Sequence, residues 1–164
     1  MSDERPVLGI DPGLNRTGYA VVIRNGRAAR LIEGGVVRTD RERSLSDRLC
    51  DIASSLREVI AEHQPRLMAV EQTFAHGRNL RSSLTLAHVR GAILLVAAEN
   101  QLPVVHMSAT EVKRLLTGFG RASKEQIQAA VRIEFKLEHV LEPNDVADAS
   151  AVALSVLHRV KFAA

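Results

Sequence analysis

Short apolar runs closed by turn residues fill the first forty positions, and helical spacing dominates the rest. Val7 to Ile10 has the pattern of a buried strand and ends at Asp11-Pro12-Gly13. Thr17 to Ile23 and Ala29 to Arg38 read as two further strands around Asn25-Gly26, a hairpin signal because both residues tolerate positive φ. The chain therefore opens as an antiparallel meander. Ser44, with Asp47 three residues on, announces a helix in which Leu45, Leu49, Ile52, Leu56, Val59 and Ile60 recur until Pro65 ends it. Leu67 to Val70 is the next strand and delivers Glu71. Leu80 to Asn100 is helical and grows apolar towards its end, and a strand at Val104-Val105 follows Pro103, giving a β-α-β alternation. Two capping boxes, Ser108 with Glu111 and Ser123 with Gln126, start helices separated by the break Gly118-Phe119-Gly120. The last helix follows Pro143-Asn144. Asn144 is its predicted N-cap, Asp145 falls in its first turn, and Ala147, Ala151, Leu154 and Leu157 or Val160 form its buried stripe. The sum is an α/β domain with three antiparallel strands, two crossover strands, and helices on both faces.

A length of 164 residues suits one domain spanning 1–164, and no Pro/Ser-rich or low-complexity linker divides it. The apolar share of 46% and charged share of 25% set it among ordinary globular chains rather than disordered or fibrous ones. The start, MSDERPVLGID, lacks a positive segment followed by a long apolar core, and no run is expected to reach the roughly 20 apolar residues of a membrane span. A cytoplasmic protein with no membrane partner is the expectation. The single cysteine, Cys50, has no internal partner for a disulfide, and its place in a helical pattern predicts a buried structural thiol. Net charge is only +3, but the basic side is 18 Arg against 4 Lys, and arginine's planar fork suits phosphate. Arginines scattered over a solvated surface would give the same composition, so position must decide.

Two acids end predicted strands. Asp11 closes the first apolar run and Glu71 closes LMAV, each at what would be the C-terminal edge of a sheet, where a carboxylate is better placed than in the core. A turn-capping Asp and a solvated loop Glu would read the same way singly. Asp145 and Asp148 are spaced i, i+3, on one face of the last helix, and Asp145 gains from the helix N-terminal dipole. Ordinary N-terminal helix charge is their simpler explanation, but Ala147, Ala149 and Ala151 leave room for close packing and turn the pair inward. Four carboxylates meeting in one small volume repel unless a divalent cation neutralises them, and an oxygen-only site selects Mg2+ or Mn2+. Two such ions about 3.5–4 Å apart are the apparatus of phosphodiester hydrolysis.

The segments GIDPGLNRTGYAVV, AVEQTF, VKRLLTGFGRASKEQIQ and PNDVADASAVAL, in that order and spacing, resemble the RuvC family of Holliday-junction resolvases over essentially the whole chain. The resemblance implies an RNase H-like fold with a five-stranded mixed sheet and a homodimer that resolves four-way junction DNA by paired symmetric nicks in recombination and repair. It implies two Mg2+ or Mn2+ ions per active site and makes a RuvAB-type branch-migration complex an expected partner. Asp11, Glu71, Asp145 and Asp148 match the family's metal ligands. Lys113 and Lys124 match its two functional lysines near the cleaved strand, and Phe74 matches an aromatic that wedges into the junction centre, where unstacked bases would stack on it. Around Phe74, the side chains of His76, Arg78, Arg81 and Arg90 are candidates to line the DNA backbone, each with a surface charge as its simpler reading. The apolar helix from Leu80 serves either the core or a dimer contact, and the two-fold symmetry of a junction makes a C2 dimer its natural reader.

Three rivals share parts of this pattern. A nuclease like the pre-ribosomal-RNA processing relatives would use the same acids on RNA. An actin-like ATPase also begins GIDPG, but needs two lobes. A DNA-structure binder without activity would use the acids only as caps.

Overall fold

The computed structural model describes residues 5–72 and 79–162, with side chains through Arg159. The strands β1 (Val7–Asp11), β2 (Arg16–Asn25) and β3 (Ala28–Arg38) form the meander. Asn25 pairs with Ala28 in the ladder, so the hairpin loop is Gly26-Arg27, one residue later than the Asn-Gly signal placed it, with Gly26 at φ +60. After α1 (Leu45–His63), β4 (Leu67–Gln72) pairs parallel with β1. After α2 (Leu80–Glu99), β5 (Val104–Ser108) pairs parallel with β4. The sheet order is β3-β2-β1-β4-β5, a five-stranded mixed sheet, and α3 (Ala109–Thr117), α4 (Lys124–Glu134) and α5 (Asn144–Phe162) complete the RNase H-like arrangement.

Each sheet face has its own core. Leu8, Ile10, Val21, Met68 and Val70 meet α1 and α2 through Ile52, Leu56, Val89, Ile93 and Val96 on one side. Val7, Ala20, Val22, Ala69 and Met107 meet α3, α4 and α5 on the other. That division follows from strand alternation, since successive side chains leave opposite faces of a sheet. Local signals start the helices: Ser44 accepts from the Asp47 amide, and both predicted capping boxes, Ser108/Glu111 and Ser123/Gln126, are formed.

Four expectations change. Asn144 is already helical, and its side-chain oxygen accepts from Gln128 instead of capping α5. The buried part of α5 is no stripe: Val146, Ala147 and every residue from Ala149 to Leu157 are buried, because the sheet lies on one side of the helix and α3 and α4 on the other. Cys50 is exposed, since it stands about 200° round the helix from both Arg48 and Ile52, which are buried. Helix α2 is long and apolar enough by composition to cross a membrane, contrary to the sequence expectation. Val89, Ile93, Val96 and Ala97 pack into the domain, while Leu80, Leu84 and Leu95 remain exposed.

Candidate active site

The site forms where β1, β4 and α5 converge. β1 and β4 run parallel, so Asp11, the last residue of β1, and Glu71, the next to last of β4, emerge at the same edge of the sheet. Helix α5 reaches that edge because β2 has no side chain at Gly18: a Cβ there would lie 2.3 Å from the main-chain oxygen of Asp145. The turn after Asp11 is held by neighbours rather than by Asp11 itself. Thr17 donates to the Gly13 carbonyl at 2.6 Å, Thr39 donates to the Leu14 carbonyl at 2.6 Å, and the buried Arg48 donates to Asn15 Oδ1 at 2.6 Å. Asp11 is thereby left free of turn-capping duty.

The electrostatics show how crowded the site is. Burial, followed by the charges of Asp148, Glu71 and Asp145, pushes the Asp11 carboxyl from 3.8 up to about 7. Burial and Asp148 also raise Glu71, against the opposing pull of Lys113, Arg90 and Lys124. The protein's own cations answer part of the excess. Arg16 donates to Asp145 Oδ2 through Nε at 3.1 Å and Nη2 at 2.6 Å, and Lys124 Nζ lies 3.2 Å from Asp148 Oδ2. Carboxylates crowded closely enough to hold Asp11 at about 7 fit divalent cations.

The predicted residues separate as follows. Asp11, Glu71, Asp145, Asp148 and Lys124 are brought together, and Glu71, Lys113, Lys124 and Asp148 line one cleft of about 280 Å3 floored by Val112, Ile127 and Val152. Arg81 is exposed in the first turn of α2, in a groove with Leu14 and Asn15 beyond Asp11. Phe74, His76 and Arg78 lie outside the described residues. Arg90 donates to the Glu71 carbonyl and to His106 Nδ1, so two of its donors are engaged by the protein.

Arg16 is the site residue that sequence reasoning missed, and no local signal marks a partner 129 positions away. A second group also had no sequence signal. Among the described residues, the one trio of ligand-type atoms within 4.8 Å of one another is Glu33, Glu62 and His63, away from this edge of the sheet. Glu33 there accepts from the Tyr19 hydroxyl and bonds His63 Nε2, both at 2.7 Å, which accounts for the grouping without an ion. The four carboxylates at the sheet edge do not form such a trio within 4.8 Å.

Known proteins share this architecture. The family described as "Crossover junction endodeoxyribonuclease RuvC" matches residues 7–158. A curated relative of that name from Rhodopirellula baltica is 49% identical over 148 residues, covering 90% of this chain and 83% of the relative. The structure of Thermus thermophilus RuvC superimposes with a TM-score of 0.90 at 32% identity, and T. thermophilus RuvC in complex with Holliday junction substrate with 0.88 at 30%, each covering 96% of both chains. Strand order, helix placement and sequence agree over nearly the whole length, and the chain belongs to the RuvC family of crossover junction endodeoxyribonucleases.

Proposed function

We propose that this protein is a metal-dependent endonuclease that resolves Holliday junctions by paired symmetric nicks, with Asp11, Glu71, Asp145 and Asp148 as its metal ligands. The observation that carries the proposal is the gathering of four carboxylates, remote in sequence, into one site where Asp11 is pushed up to about 7. Two ions, Mg2+ or Mn2+, supply the activation of water and the stabilisation of the leaving oxygen when bound. The chain's own residues do the rest. Asp11 and Glu71, at the C-terminal ends of β1 and β4, and Asp145 and Asp148, on α5, would hold the ions. Lys113 and Lys124, on the cleft wall, meet the charge of the scissile phosphate, and Arg81 receives a neighbouring phosphate. By the family resemblance Phe74 is the residue for the junction centre, and His76 and Arg78 are candidate contacts to the DNA backbone.

A homodimer matches the two-fold symmetry of the substrate, and the exposed Leu80, Leu84 and Leu95 of α2 give it an apolar surface to bury. Action in the cytoplasm, alongside a RuvAB-type branch-migration motor, completes the reading.

The test is cleavage of a synthetic four-way junction, a linear duplex and a structured RNA in Mn2+. Paired nicks in the junction alone are expected, and equal rates on all three substrates would end the resolvase reading. A narrower prediction concerns Arg16. Its bond to Asp145 must yield when an ion takes that carboxylate, so Arg16→Ala should tighten Mn2+ binding about two- to fivefold, the range for a partly exposed ion pair. Calorimetric titration of the DNA-free protein measures this, and weaker binding in the variant would contradict it.

A further inference from the structure

We infer that Arg90 is a positioning residue for the reaction, holding the end of β4 so that the Glu71 carboxylate stays in the site. This rests on Glu71 being one of the proposed ligands. The ladder between β1 and β4 ends at Ile10 and Val70, so at Glu71 the strand keeps a partner only on the β5 side, through Met107. The next residue, Gln72, is the last of the strand. The β5 ladder runs on through Gln72 and Ser108, but on the side of β1 the main chain of Glu71 has no strand beside it. Arg90 reaches out of the middle of α2 and donates through Nη1 to the Glu71 carbonyl, while Nη2 donates to His106 Nδ1 on β5 at 3.0 Å. One planar group therefore ties α2, β4 and β5 together at the ligand. Both of these bonds go to protein acceptors, the geometry of a support.

The test compares Arg90→Met, Arg90→Lys and Glu71→Gln in Mn2+ titration of the DNA-free protein, single-turnover junction cleavage, and junction binding in EDTA. Arg90→Met is expected to weaken Mn2+ binding and slow cleavage by about 10- to 100-fold, as loss of a group that orients a metal ligand does. Junction affinity should stay within about twofold of the parent. Lysine, which keeps the charge but cannot span both acceptors, should restore only part of the loss, and Arg90→Met should add nothing to Mn2+ binding once Glu71→Gln is present. A weaker junction affinity with unchanged Mn2+ binding would make Arg90 a DNA contact, and an equal loss with or without Glu71 would make it a packing residue; either overturns the inference. If Arg90→Met does not fold, His106→Ala, which frees Nη2, should weaken Mn2+ binding in the same direction, and no change overturns the idea. Full activity in Glu71→Gln would remove the proposed active site itself, whereas an inactive Glu71→Gln beside a fully active Arg90→Met would remove only this inference.

Discussion

Asp11→Asn is expected to lower junction cleavage by about a thousandfold or more while making the metal-free protein more stable at pH 8. The loss follows from what a ligand in this position holds: transition-state charge stabilisation by a bound ion is worth several kcal/mol, and about 4 kcal/mol is a thousandfold in rate. Junction binding in EDTA should persist, because Asp11 repels phosphate. Glu71→Gln and Asp148→Asn should also abolish cutting with binding intact, and retained cleavage in all three would refute the ligand assignment.

The stability gain follows from the raised pKa. In the folded protein Asp11 titrates near 7, against 3.8 for an unperturbed carboxyl. The folded state thus keeps a proton that the unfolded chain gives up between those values. The stability from that proton is complete below about pH 4 and is lost as pH rises through about 7. At pH 8 the ionised Asp11 opposes folding until a cation arrives, and asparagine removes that opposition. A shift of about three units is at most about 4 kcal/mol. Halving it for a half-buried group in contact with solvent leaves about 2 kcal/mol, or on the order of 5 °C in a chain of this length. Thermal unfolding in EDTA at pH 5 and pH 8 checks this: the parent should lose more stability over that interval than the variant, and a variant less stable than the parent at pH 8 would contradict the account.

Gly9→Ala should lower stability by about 3 kcal/mol, close to 10 °C, near the upper end of what overpacking a core costs. A Cβ at this position in β1 would lie 2.1 Å from the main-chain oxygen of Ala149 and 2.8 Å from the Ala153 Cβ. Helix α5 crosses the strand at backbone contact there. A side chain can rotate away from an intruder, but the backbone of a buried helix yields only by shifting the whole element, and the same helix carries Asp145 and Asp148. Melting followed by circular dichroism measures the effect, and an unchanged midpoint would show that α5 can lift off β1 without cost. Cleavage should fall with stability, since the carboxylates of α5 and β1 would no longer meet as they do here.

The sheet and helices were largely legible in the sequence because their signals are local. A strand is announced by neighbours two positions away, a helix by neighbours three and four away, and a capping box by a pair such as Ser108 and Glu111. The strand-ending positions of Asp11 and Glu71 and the shared face of Asp145 and Asp148 followed from the same short-range rules, and the family resemblance named them together. Errors arose where a residue's surroundings come from elsewhere in the fold. Cys50 was expected inside from its helical neighbourhood, but the face of α1 that meets the sheet runs through Arg48 and Ile52. Asn144 had the composition of a cap, yet Gln128 of α4 takes its side chain.

What the sequence alone determined about this protein is which segments become strands and helices, and which acids stand at their ends. Tertiary structure decided which remote groups meet: Arg16 with Asp145 across 129 positions, Arg90 with Glu71 and His106, Gly18 with the start of α5, and the layers that bury α5 from Ala149 to Leu157. The reason is physical. Secondary structure is selected by hydrogen bonds and packing within a turn or two of chain, whereas the partner across an interface is set by how whole elements dock, and no neighbouring residue carries that information.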